Sequence, residues 1–400
     1  MNYKDDFMFL PRSKKMTAIL VGTLLSWNIY AIPSSTTLTV NNTYIKHHGR
    51  IITGTFTGTL TQPAISVQAD IPVIIRDATL QGPGDLIYVS GGDVTVENTT
   101  GIATNPNVAG VQKGMFVSAN FVKNLKVSNC TIQGVRFGVY VNGYTGDKTS
   151  KQIISIVNNT ISDIDGRPSD GNNGYVLSGD YMAHGIQLNQ VAGVPNIEIA
   201  WNKINNTFLQ SQSSDLISIY DSSGTSDHLL LIHDNYLQGA YPANPGVDKS
   251  YFGSGISLDG STLDTPNTTT SYTSVYNNHI VSVANAGIQI KAGHNNTANN
   301  NRIISSGRLA NGNLYGVSTA VGLNNTNFYQ QAATVFFSNT ISNNTVGLVT
   351  VNASGAAVRA DLNLPGQNNA VMGNTIFLPN DNAHPTLIDE ANELSLWQAS

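Results

Sequence analysis

Apolar residues along this chain fall in short alternating runs rather than in helical stripes. Ile197-Glu198-Ile199-Ala200-Trp201-Asn202-Lys203-Ile204 alternates with a period of two, and Leu216-Ile217-Ser218-Ile219 follows soon after, which predicts two β-strands. Neither could bury a face alone. The same pair of phrases recurs, the mark of units that stack on copies of themselves. Anchoring on the residue two before the closing aliphatic picks out Ala78, Asn98, Cys130, Asn159, Asn202, Asn235, Asn278, Asn301, Asn339 and Asn374. Asn fills eight of these ten places, at steps of 20 to 43 residues. The shortest step is about one coil of a parallel β-helix, and the longer ones carry insertions. An Asn at a corner between strands tolerates a left-handed backbone. Its amide can also bond to the Asn above and below, satisfying buried polar groups.

Phrases such as Ile156-Val157-Asn158-Asn159-Thr160-Ile161 and Val275-Tyr276-Asn277-Asn278-His279-Ile280 resemble the right-handed parallel β-helix proteins of the pectate-lyase-like superfamily. The resemblance covers roughly residues 60 to 378 and implies an all-β solenoid with an Asn ladder. That superfamily holds lyases, hydrolases and epimerases of acidic polysaccharides, and also tailspikes and adhesins. The resemblance therefore implies an architecture and leaves the chemistry to the site.

Residues 1–31 carry Lys14 and Lys15, then an uncharged run from Met16 to Tyr30, then Ala31 ahead of Pro33. They read as a secretory signal, too short for a membrane span, so the mature protein is expected in the periplasm or outside a bacterial cell. The remainder, 32–400, reads as one domain. Thr-rich residues 33–72 form a cap and the first coils, 73–378 the regular coils, and 379–400 a C-terminal cap. In that last stretch the amphipathic run Leu387 to Trp397 predicts a short helix sealing the end.

Without residues 1–31, 16 of the 20 Lys and Arg and 23 of the 25 Asp and Glu remain. Such an acidic balance excludes nucleic acid as a natural partner. A lone cysteine, Cys130, excludes an internal disulfide framework and reads as a small buried thiol standing in the Asn column.

The second strands align as a column: Gly138-Val139-Tyr140-Val141-Asn142, Gly185-Ile186-Gln187-Leu188-Asn189, Leu216-Ile217-Ser218-Ile219-Tyr220, Gly255-Ile256-Ser257-Leu258-Asp259 and Gly287-Ile288-Gln289-Ile290-Lys291. The period of two turns the aliphatics inward. It turns Tyr140, Gln187, Ser218, Ser257 and Gln289 outward in one row, and Asn142, Asn189, Tyr220, Asp259 and Lys291 in the next. With rungs about 4.8 Å apart, this is a polar shelf long enough for several sugar units. Insertions flank it and carry Tyr175, Tyr181, Tyr241, Tyr251 and Phe252, aromatics suited to stacking on sugars or to packing on the coils.

Candidate chemistry gathers on the same shelf. His184 and Asp215 occupy equivalent places in adjacent coils, a His–carboxylate pair suited to general-base work, although both share the parity of inward residues. Asp221 sits in a Gly/Ser turn at a strand exit. Tyr220, Asp259 and Lys291 form a row able to bind a carboxylate and take a proton, or else a solvated ladder. The substrate-binding candidates are Tyr140, Asn142, Tyr181, Gln187, Asn189, Ser218, Ser257 and Gln289. No zinc spacing occurs; calcium on Asp163, Asp165 and Asp170 is the one metal reading, set against a solvated acidic loop. The expectation is a secreted enzyme acting on a uronate-containing polysaccharide, a lyase or epimerase with Lys291 steadying the enolate and His184 or Tyr220 as base. A hydrolase using Asp215, Asp221 or Asp259 and a non-catalytic glycan-binding adhesin are the alternatives. The oligomeric state has no sequence signal.

Overall fold

A computed structural model describes residues 37–148, 153–249, 251, 253–316, 321–365, 370–379 and 384–400. The expected signal in residues 1–31, and Phe252, lie outside the described residues. Among the described residues the structure is all-β apart from two helices, α1 (Asn42–His48) and α2 (Leu387–Gln398). Its strands build long, almost wholly parallel stacked sheets, compatible with a β-helix solenoid. Among the described residues no helix is long and apolar enough to cross a membrane.

Each regular turn contributes three strands. The first belongs to an 11-stranded sheet in which Phe137–Tyr144, His184–Asn189, Asp215–Tyr220, Ser254–Asp259 and Ala286–Ile290 are successive neighbours. The other two come from what reads in sequence as one alternating run. Ile197–Ala200 and Lys203–Asn205 are separate strands, and each pairs with its counterpart in the coils on either side.

The bend between them is set by a pair of residues, and the sequence reading had named only one. The left-handed residues are Asp77, Asn98, Asn129, Asn158, Trp201, Asp234, Asn277, Asn300 and Asn343, each one place ahead of the stacked residue. The stacked residue itself is free to turn its amide inward. Asn159, Asn202, Asn235, Asn278 and Asn301 each donate from Nδ2 to the Oδ1 of the next at 2.9–3.0 Å. The run ends through Asn344 on Asn374. These amides also bond to backbone carbonyls, so groups buried at 0–1 % exposure are paired.

Two members of the expected column are displaced. Thr99, not Asn98, occupies the stacked place, since Thr100 is the residue in register with Thr131. Asn339 belongs to a different corner, where its Oδ1 accepts the Asn296 amide N–H; Asn344 holds the main file instead. Cys130 is buried there, its amide bonded to Asn159 Oδ1, and burial pushes its thiol up to about 12. It is an inert filler.

The ends also differ from expectation. The N-terminal segment contains α1, capped by Asn41 Oδ1 on the Tyr44 N–H at 2.8 Å, with Tyr44 and Ile45 packed against the main core. At the other terminus α2 lies along the flank of the coils rather than over their end. Glu393 receives His279 Nδ1 at 2.7 Å and Arg302 at 2.6 Å, Glu390 accepts the Ser306 N–H at 2.6 Å, and Trp397 Nε1 donates to the Asp234 carbonyl. The helix buries two of its acids, Glu390 and Glu393, more deeply than its apolar residues: Leu387, Leu394 and Trp397 are half-buried, and Ile388 and Leu396 are exposed.

Burial pushes Glu390 up to about 7. A carboxyl with a folded pKa above its unfolded value adds stability that is complete below the unfolded pKa and is lost as pH rises through the folded one. The α2 amides should therefore exchange faster at pH 8 than at pH 5 after correction for intrinsic rates, and Glu390→Gln should remove the difference. An unchanged pH dependence in that variant would contradict the assignment.

Candidate functional site

Strict alternation would have placed His184 and Asp215 inside with Ile186 and Ile217. A kink shared by neighbouring coils prevents this. Gly185 and Ile186 both face the core, as do Leu216 and Ile217, and Gly255 and Ile256. A Cβ on Gly185 would meet Ile204 Cδ1 at 2.5 Å, and one on Gly255 would meet Ile280 Cγ2 at 2.5 Å; Leu216 itself is core. Two successive inward residues reverse the parity of whatever precedes them. His184, Asp215 and Ser254, in register with one another, are thereby turned to the outer face.

Of these, His184 and Asp215 open on a recess of about 280 Å³ whose wall also includes Gln187, Ser218, Tyr220, Asp259 and Lys291, while Ser254 is buried behind Asp215. Seven of the expected residues thus converge, drawn from four coils. Asp180, Met182, Ser214, Tyr251, Gly253 and Tyr329 complete the wall. The rest of the expected shelf is less open than alternation suggests. Gln187, Ser218 and Gln289 are 3–7 % exposed and Ser257 is fully buried. Ser257 and Gln289 lie outside the recess wall, as do Asn142, Asn189 and Tyr140. Those three instead form a hydrogen-bonded group, with Asn189 Nδ2 reaching Tyr140 Oη at 3.0 Å and Asn142 Oδ1 at 3.1 Å.

The loop aromatics are mostly structural. Tyr241 and Tyr251 pack with Ala284, Leu309, Tyr315 and Val351 in a second apolar cluster. Tyr175 lies over Lys113 and Arg167. Tyr181 offers its carbonyl to Gln212 and Ser214, while its ring lies against Gly179. The calcium reading loses its ligands to protein partners. Asp165 is held by Lys113 at 2.9 Å and Arg167 at 2.8 Å, Asp163 accepts the Thr207 N–H, and Asp170 accepts from Asn172 and Gly174. That charge cluster fixes the loop that brings Asp180 and Met182 over the recess.

The electrostatics sort the candidates. His184 Nδ1 lies 3.2 Å from both the Asp215 peptide N–H and the Asp215 carbonyl oxygen, so it accepts from the first in one tautomer and donates to the second in the other. Burial pushes His184 down to about 4. It is therefore neutral at ordinary pH and a poor base, against the role expected for it. Burial pushes Asp215 up to about 6, opposed by Lys291 and by Ser254, whose hydroxyl donates to Asp215 Oδ1 at 2.5 Å.

Asp259 has several direct partners. It is ion-paired with Lys291, accepts Tyr329 Oη at 2.5 Å and accepts the Gly260 N–H at 2.9 Å. Lys291 is consequently neutralised by Asp259, and burial raises the Tyr220 phenol, so neither suits the enolate-and-base scheme. Asp221 stands outside the recess wall. Burial, then the neighbouring Asp264, pushes it up to about 7.

Tyr329 escaped the sequence reading because it lies on no strand. The signal was positional: Phe328-Tyr329 follows the strand Val321–Asn325, one coil beyond Lys291. Ser254 was readable only with the kink in hand.

Removal of the Ser254 hydroxyl takes away a bond to the charged form of Asp215. Ser254→Ala should raise the Asp215 titration further above about 6 in a carbon-13 NMR pH series. A downward or absent shift would show that the hydroxyl does not tune this carboxyl. Gly255→Ala should cost about 1–3 kcal/mol of stability by overpacking the kink, read from urea denaturation; a neutral result would refute the inward placement.

Comparison of the chain with protein-family models, with curated proteins and with solved structures finds no match.

Proposed function

We propose that this chain is a right-handed parallel β-helix of the pectate-lyase-like type, exported by means of residues 1–31, and that it hydrolyses a polysaccharide in the Asp215 recess. What carries the reading is a pair of carboxylates opening on one recess in opposite environments. Asp215 is buried without a cation of its own and is pushed up to about 6. Asp259 holds Lys291, Tyr329 and a backbone N–H. A carboxyl raised by burial, beside one held by an ion pair and hydrogen bonds, supplies the acid and the partner that glycoside hydrolysis needs.

In this scheme Asp215 gives its proton to the glycosidic oxygen as the bond to the sugar breaks. Asp259 stabilises the oxocarbenium-like charge that develops and takes the proton of the attacking water. Neutral His184 and Ser218 orient sugar hydroxyls, and Gln187 does the same from the His184 strand. Lys291 and Tyr329 hold Asp259 in place. The lyase alternative is the weaker of the two because it needs a free cation and a basic Tyr or His. The recess offers a paired lysine, a raised phenol and a histidine of low basicity.

The expected result is release of reducing ends from a polysaccharide panel without new absorbance near 232 nm, the signature of an unsaturated lyase product. Asp215→Asn should lower kcat by at least about a hundredfold. Because Asp215 must be protonated to act, the rate should fall as pH rises past about 6. Unsaturated products would establish the lyase, and glycan binding with no product would establish a binding protein.

A further inference from the structure

The outer row that passes through the recess continues toward the N-terminal coils. Ser66, Tyr88, Ser118, Tyr140, Gln187 and Ser218 are in register along successive rungs of the first sheet. Over the first of these rungs lies a larger concavity of about 720 Å³, which the sequence reading had not included in the shelf. We infer that this N-terminal concavity is a second glycan-binding subsite, and that it takes uncharged sugar units of the same chain whose cleavage point sits in the Asp215 recess.

Three observations carry this. The concavity has the half-buried Tyr88 ring on its floor, with the Gln62 and Gln68 amides and the Thr61 and Ser66 hydroxyls around it. An aromatic surface with a few neutral polar groups suits a sugar ring with its hydroxyls. Next, the span fits: Tyr88 lies three rungs from Gln187, roughly 14 Å at 4.8 Å per rung, a distance an extended chain crosses in about three units. Tyr140 stands between them, one rung from Gln187, its hydroxyl bonded to Asn189 and its ring edge-on to Phe137 at 5.4 Å, so this part of the path is already ordered.

Charge is the third observation. The only ionisable acid or base lining the concavity, apart from Tyr88, is Asp85. Arg136, the neighbouring cation, interacts with Asp85, donates to Gln112 Oε1 at 3.0 Å and lies over the Phe137 ring. In the recess Lys291 is matched by Asp259 and Asp180 adds a further acid, while Asp215 carries its proton in the acting enzyme. Along this path acids outnumber cations, so a uronate chain meets like charge and a neutral chain does not. The substrate class is accordingly a neutral polysaccharide, in place of the uronate polymer expected from sequence. The inference rests on reading the recess as a glycan site, but its test does not rest on catalysis.

Asp215→Asn protein, which cannot turn substrate over, is titrated calorimetrically with neutral hexasaccharides of several linkages built from glucose, mannose or xylose, and with hexagalacturonate. At least one neutral hexasaccharide should bind more tightly than hexagalacturonate. Adding Tyr88→Ala should weaken that hexasaccharide about fivefold to tenfold while a trisaccharide seated in the recess is unaffected; the unchanged trisaccharide affinity shows that the variant is folded. Tighter binding of hexagalacturonate, no binding of any neutral hexasaccharide, or indifference of the hexasaccharide to Tyr88→Ala overturns the inference. Should the wild-type protein release no reducing ends while these affinities hold, hydrolysis fails and the second subsite stands.

Discussion

The rise of one coil over the next is the constraint on which everything else in this molecule depends. Parallel strands bonded at about 4.8 Å require every residue to lie above its counterpart. At the corner between the second and third strands, that would stack backbone groups turned away from any ladder. The asparagine file answers this need. Each amide donates to its successor and to a carbonyl of the coil behind it, so one side chain closes the hydrogen-bond account of the bend and fixes the axial register. Removing one such amide would leave buried partners unmatched, which costs about 1–3 kcal/mol per group. Near the N-terminal coils, Ala78, Thr99 and Cys130 occupy the column and the amide bonds are absent, yet the strands remain in register. The file therefore reinforces a register that strand pairing and aliphatic burial already favour.

Periodicity made the stacked architecture legible, because burying one face of a strand demands alternation and the demand recurs in every coil. It also brought Tyr220, Asp259 and Lys291 into one outward column and set His184 beside Asp215 in adjacent coils. It failed where the backbone departs from alternation. Nothing in Ile197 to Ile204 announces that the run is two strands, since Trp201 takes the left-handed place that Asn158 and Asn277 take elsewhere. The orientation of His184 depends on two inward residues in succession. The glycine that permits this was visible in the aligned phrases, but its reason lies in Ile204 and Ile280, distant in sequence and adjacent in space. Tyr329 and the lateral seat of α2 depend on contacts across tens of residues, which local pattern does not carry.

Electrostatics within the recess follow from unequal compensation. Asp215, at the start of its strand, has no cation of its own, while Asp259, at the end of the neighbouring strand, is matched by Lys291. Both still influence the same cavity. The interior of a solenoid cannot host such groups, whereas its outer face under loops can exclude water while leaving an opening. The Asp165 cluster with Lys113 and Arg167 belongs to this arrangement, since it holds the loop that narrows the opening.

The kink has an evolutionary corollary. Phe137, His184, Asp215, Ser254, Ala286 and Val321 follow one another along the same file of the sheet. They are an aromatic, an imidazole, a carboxylate, a hydroxyl and two aliphatics on one repeated backbone. What holds that backbone is the small-or-aliphatic pair behind each of them. Selection can therefore exchange the functional group at any of these places without renegotiating the scaffold, which makes the file a keyboard on which new specificities can be composed one coil at a time.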